Sequence, residues 1–259
     1  ISQAFVIRSK NLILRKEWRN PKIAHSLFAL FSQNRNQCAK HINISQIYRA
    51  IFPSLMRFGM HKESEIEDLL YEMSLQCRQI PQGEFYMGAM SHDVYKTVWE
   101  EPVHLQRVRP FYLGKIVVTQ LLYMRIMGTN PSIFIAPMRP VDSVSWVDAI
   151  IFCNRLSVQE GYTPMYQIPK VLIKAQKEQF RLRDSKVDQL SKEVLYDVDA
   201  DGYRLPTEEE WEDAARGGEN YTFAGSDDLN EVGWYEEYTQ NYTQPVGQKK
   251  ANGYGLFDM

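Results

Sequence analysis

Residues 197–211, DVDADGYRLPTEEEW, constrain the fold more than any other stretch, because they can be built in two incompatible ways. Asp197, Asp199, Asp201, Gly202 and Glu208 fit the calcium-loop pattern D-x-D-x-D-G-x5-E letter for letter. The same letters spell a short strand at 202–205, a proline stop at Pro206 and a helix N-capped by Thr207. Glu210 stands three residues after Thr207 and completes a capping box. Glu208 and Glu209 then occupy the first turn, where the positive end of the helix dipole favours acids. The second reading explains more letters. Arg204 stands where a calcium loop wants an apolar residue, and Pro206 fixes φ where the chain should curl into an exit helix.

A chain of 259 residues, 44% apolar and 24% charged, has the composition of an ordinary globular protein and needs no staples to build a core. Cys38, Cys77 and Cys153 are too widely spaced for a disulfide framework or a metal knuckle and read as buried thiols. No apolar run reaches the roughly 18 residues of a membrane span and nothing resembles a signal peptide, so the cytoplasm is the expected compartment. A processed leader stays open, since the first residue is Ile1. Asn43, Asn220 and Asn241 head N-x-S/T sequons that matter only in a eukaryotic secretory setting. Charge is uneven: residues 1–60 carry a net +9 within an overall −2, leaving −11 for 61–259. That split predicts two modules or a basic arm.

Residues 1–78 read as a small helical, basic region, with apolar faces at Ile23, Leu27, Leu30 and Phe31 and at Ile47, Ile51, Leu55 and Phe58. Pro53 should kink or split the second. Ser64, three residues before Glu67, predicts a capped helix through IEDLLYEMSLQC. The pattern then turns to strands in IPQGEFYMG and RVRPFYLGKIVVTQ. Ser145 predicts an N-cap for a helix whose buried face is Ala149, Phe152, Cys153 and Leu156. Residues 170–193 alternate in charge, as a solvated helix or an insertion would, and the region after Gly217 is rich in Gly, Asn and aromatics with little periodicity. The class is α+β, with a loop-rich back.

GYRLPTEEEWEDAARGG (202–218) resembles the central signature of the formylglycine-generating enzyme, or sulfatase-modifying factor, family. Four further blocks are similar to that family in the same order. They are IPQGEFYMG, then the run 100–132 with its Val118-Thr119-Gln120 triplet and MGTNPS turn, then PVDSVSWVDAIIFCNRLS, and finally PVGQKKANGYGLFDM. The resemblance implies a C-type-lectin-like fold over 79–259: a twisted antiparallel sheet, two helices and many loops. It also implies that the chain stops, at Met259, before the C-terminal third in which the complete enzymes carry a copper-binding cysteine pair.

No catalytic, cofactor-binding or metal-binding residue is therefore assigned. Copper and calcium are implied only by the complete enzymes, and a family calcium site near Asn230 lacks an aligned downstream Asp. Cys38 and Cys77 are expected to precede the family domain. His25, His41 and His61 are scattered rather than set at ligand spacing, unlike the iron-dependent relatives. Three functions follow. The chain is a non-catalytic module binding a protein or small-molecule ligand on its loop-rich face, or a fragment of a copper-dependent oxidase, or an adaptor for an anionic partner. For the last, AKHINISQIYR (39–49) is similar to a helix-turn-helix, but Arg49 falls at a core position, and the basic run reads better as a solvated face than as a nucleic-acid surface.

Overall fold

The computed structural model describes residues 6–7, 63–89, 96–178, 184–235 and 242–259. The two helical faces between Ile23 and Phe58, the 39–49 stretch, Cys38, His25, His41 and His61 lie outside the described residues.

In chain order the elements are β1 (Val6–Ile7), α1 (Glu63–Ser74), β2 (Cys77–Ile80), β3 (Gly83–Met87), a 3-10 turn (Val98–Glu100), β4 (His104–Val108) and β5 (Phe111–Gly114). There follow α2 (Gln120–Met127), α3 (Trp146–Gln159), β6 (Tyr166–Gln167), α4 (Lys170–Glu178), α5 (Asp184–Ser191) and β7 (Leu195–Tyr196). β8 (Tyr203–Arg204), α6 (Glu208–Arg216) and α7 (Leu229–Val232) complete them. Every strand pairing is antiparallel, and the main sheet runs β2-β5-β1-β8. β1 supplies a strand from the front region that reads as helical, and residues 78 and 79 are neighbours within β2.

β2–β5 and β3–β4 are one long ribbon. Cys77 lies opposite Gly114 and Ile80 opposite Phe111; Gly83 lies opposite Val108 and Met87 opposite His104. The register carries through with no residue gained or lost. Between the halves stand Pro81 and Gln82 on one side and Arg109 and Pro110 on the other. Proline has no N–H for the ladder, so the pairing breaks there. The buried side changes at the break. The inner half buries Ile80, Phe111 and Leu113, whereas the outer half buries Met87 and Val108, which belong to the opposite side-chain set in the alternation. Val108 still joins Ile80, Phe111 and Leu113, with Ala214 and Leu256, in one small core.

A larger core is built on α1, α2 and α3. Ser145 caps α3 in a box with Asp148, and Ala149, Phe152, Cys153 and Leu156 are buried as their spacing requires. Val147, Ile150 and Ile151 are buried too, because α3 packs against α2, α4 and β8 and so is covered on more than one side. The charged stretch forms α4 and α5, which turn Leu172, Ala175 and Leu190 inward.

Two local expectations need correction. α1 begins at Glu63, so Ser64 lies inside the first turn rather than at its cap. The strand expected through 116–120 stops at Gly114; Ile116, Val117 and Val118 are buried, and pairing is reduced to one antiparallel bridge of Thr119 with Pro140. Thr119 there caps α2, accepting from the Leu122 N–H at 3.2 Å and bonding Ser74 Oγ at 2.9 Å. Capping outweighs β-propensity at this point.

Candidate functional site

Residues 202–210 fold as strand, proline stop and capped helix. Thr207 Oγ1 accepts from the Glu210 N–H at 3.3 Å, and the Thr207 N–H donates to Glu210 Oε2 at 3.0 Å. The same carboxylate is gripped from behind. Arg204 Nη1 and Nη2 each donate to it at 2.6 Å, a bidentate pair with both side chains largely buried. The Arg204 partnership is invisible in the linear capping pattern; its only trace is a charge at a strand position that must face inward.

The four acids of the calcium pattern are otherwise engaged or apart. The Asp197 carboxylate accepts from the Asp199 N–H at 3.0 Å, and Asp201 accepts from the Thr163 N–H at 2.9 Å. Glu208 opens α6. Among the described residues no three His, Cys, Asp or Glu side chains converge on one point. Gly202 is required for closeness: a Cβ there would strike the Thr163 carbonyl and the Ser157 side chain.

Neither described cysteine is set up as a nucleophile. Cys153 is free and enclosed on α3, and burial pushes its thiol up to about 12 against the pull of Arg204. Burial does the same to Cys77 on β2, whose Sγ donates weakly to the Leu75 carbonyl at 3.6 Å. Both are protonated at neutral pH, and they stand on separate elements. Copper bound by a thiolate pair does not fit these two residues.

The surface feature that sequence reasoning missed is on the ribbon. In its outer half the side facing away from the core carries Glu84 opposite Arg107 and Tyr86 opposite Leu105. Tyr86 is 57% exposed and Leu105 49%. The Ala89 N–H donates to the Glu100 carbonyl at 3.2 Å, which seats the 3-10 turn against the ribbon's end. That turn offers Val98 at 78% and Trp99 at 91% exposure. α6 packs on the ribbon, locked by Gly88 N–H to Glu212 at 2.9 Å and Arg216 to the Gly88 carbonyl at 2.9 Å. Strand alternation alone would have shown Tyr86 and Leu105 on one side, but not which side the core would cover.

The pattern described as "Sulfatase-modifying factor enzyme 1-like domain" matches residues 72–259. The chain belongs to this family. Cys77 therefore lies inside the family domain and not before it, as its place in the four-residue β2–β5 ladder requires. A Paenibacillus barcinonensis protein named chaperone protein LppX is 40% identical over 169 residues, 58% of this chain and 58% of that protein. The formylglycine-generating enzyme of Mycobacterium tuberculosis is 42% identical over 72 residues, 22% of this chain and 24% of the enzyme. The chain thus matches little more than half the length of the first relative and about a quarter of the second. Among solved structures, Treponema denticola variable protein 1 is similar with a TM-score of 0.58 at 27% identity, covering 70% of this chain and 68% of that one. CarF shares the fold, with a TM-score of 0.52 at 24% identity over 70% and 76% of the two chains. These likenesses accord with the α+β class of the family.

Proposed function

We propose that this family member is a non-catalytic protein-binding module that takes exposed apolar stretches of other polypeptides, as a chaperone does. The observation that carries the reading is the exposure of Tyr86 and Leu105, opposite each other on the ribbon, with Val98 and Trp99 exposed on the turn bonded to its end. The 40% identical relative named as a chaperone supports it, and so do two described thiols held protonated by burial. The family fold, read as C-type-lectin-like, suits binding because loops and a ribbon stand out from a packed core. A second reading keeps its own support. The stretch shared with a formylglycine-generating enzyme favours a part in copper-dependent oxidation of a substrate cysteine.

One experiment separates the two. Chemically unfolded citrate synthase is diluted into the full chain and its aggregation followed by light scattering. In parallel, a C-x-P-x-R peptide is incubated with the chain and copper. Suppressed aggregation that is lost in the Tyr86→Ser/Trp99→Ser double variant, with no oxidation of the peptide cysteine, is expected. Suppression untouched by both substitutions, or copper-dependent oxidation, contradicts the proposal.

A further inference from the structure

The two halves of the ribbon are held by different means. β2 and β5 lie in the four-stranded sheet with β1 and β8, whereas β3 and β4 form a two-stranded sheet of their own. The ladder stops at Ile80 opposite Phe111 and resumes at Gly83 opposite Val108, with Pro81 and Pro110 in the gap. A two-stranded ribbon is marginal in water unless another element packs on it. Here α6 packs on the side that carries Phe85 and Val108, placing Ala214 against them.

At the end of the ribbon far from the gap, α6 also grips main chain. Glu212 Oε1 accepts from three donors: the Gly88 N–H at 2.9 Å, Arg216 Nε at 3.0 Å and Arg216 Nη2 at 2.6 Å. Arg216 Nη2 donates in turn to the Gly88 carbonyl at 2.9 Å, and the guanidinium stands 5.9 Å from the centre of the Phe85 ring. One ion pair of α6 thus takes both main-chain polar groups of Gly88. Gly88 cannot shift to suit another partner: its φ is +104°, and a Cβ there would strike the Glu100 carbonyl. That same carbonyl accepts from the Ala89 N–H, so the clasp holds the end of β3 and the 3-10 turn together. Both of its side chains are partly buried, neither sealed in the core nor fully open to solvent.

We infer that the outer half of the ribbon opens from the body as a unit of its own, parting at the proline gap, and that the Glu212–Arg216 clasp on Gly88 sets how often it does. The inner half stays in place, because opening it would break the pairing of β5 with both β1 and β2. The inference rests on the protein-binding reading and names how that surface is controlled. With the clasp closed, Tyr86 and Leu105 stand opposite each other and the Trp99 turn is seated at the ribbon's end. With it open, these residues no longer share one scaffold, and a bound polypeptide loses its seat. A partner that binds only the closed form therefore also stabilises it.

The test is amide hydrogen exchange on the full chain at rising urea concentrations below the unfolding transition. The amides of 83–87 and 104–108 should open at lower free energy, and with a weaker dependence on urea, than those of 77–80 and 111–114. Glu212→Gln keeps the shape of the side chain and removes its charge. It should speed exchange of the outer amides roughly tenfold and leave the inner ones unchanged. Arg216→Lys keeps the charge, loses the fork and should act in the same direction. Equal opening free energies in the two halves of the parent chain would show that more than α6 holds the outer half, and would overturn the inference. A Glu212→Gln effect spread evenly over both halves, or reaching neither, overturns it as well. In the citrate synthase assay Glu212→Gln should suppress aggregation severalfold less than the parent chain; equal suppression overturns the control of binding. Separate opening in a parent chain that suppresses no aggregation leaves the clasp standing and removes the protein-binding reading. Suppression by a parent chain whose two halves open together does the reverse.

Discussion

At the scale of single residues, the stretch 197–211 shows how one carboxylate can decide between two readings. Glu210 closes the capping box and neutralises Arg204, so removing it leaves a buried guanidinium with no counter-charge. Glu210→Ala should cost about 3–5 kcal/mol in urea unfolding. Thr207→Ala loses only the cap and should cost about 1 kcal/mol. Asp199→Ala should stay within about ±0.5 kcal/mol, and millimolar calcium should leave the melting temperature of all three variants unmoved. A calcium-dependent rise that Asp199→Ala abolishes would revive the loop reading. Asp258 makes a separate prediction. One oxygen accepts from the Gly247 N–H at 2.7 Å, the other is enclosed with no hydrogen-bond partner among the described residues, and burial lifts the carboxyl to about 6. An unfolded Asp titrates near 3.9. The folded state therefore holds the proton more tightly, and its stabilisation is whole below about pH 4 and lost as pH rises through about 6. The loss should be about 2–3 kcal/mol, read from urea midpoints between pH 4 and 7, and Asp258→Asn should flatten that slope. A slope unchanged in the Asn variant would assign the effect elsewhere.

At the scale of elements, two caps and one helix face were legible, whereas the Ser64 cap failed and the Thr119 cap and the loop anchors were missed. Ser145, Thr207 and the inward face of α3 follow from spacing, because capping and 3.6-residue periodicity are local rules. The strand run into Gln120 misled because its β-branched residues are buried mostly by tertiary packing, with pairing limited to the single Thr119–Pro140 bridge. Gln120 itself is the larger lesson. Its Nε2 donates to the Phe134 and Pro140 carbonyls at 2.9 and 3.2 Å, and its Oε1 accepts from Asn130 and the Ala136 N–H at 3.0 Å. One buried amide thus ties Asn130 of the MGTNPS turn and the stretch 134–140 after it to the start of α2. Asn252 does the same for α6, donating to the Ala214 and Ala215 carbonyls and accepting from the Tyr254 and Leu256 N–H groups. Such residues look like loop polars in a sequence, since their partners lie far apart or in main chain. Gln120→Leu strands several buried groups and should cost about 3 kcal/mol or more by urea unfolding. A cost below about 1 kcal/mol would show the loop is held by other contacts.

At the scale of the molecule, the family and its α+β class were legible because five motif blocks stand in order. The exposed apolar residues of the ribbon were not, because their exposure depends on a non-local event. Pro81 and Pro110 face each other across the ribbon, the buried side changes there, and an apolar pair that would otherwise sit in the core emerges at Tyr86 and Leu105. Amide hydrogen exchange on the full chain, with and without unfolded citrate synthase, tests this most directly. Slowed exchange confined to residues 104–108, with 83–87 and the Val98–Glu100 turn, is the predicted result. Protection elsewhere with this ribbon unchanged, or no protection at all, would contradict it.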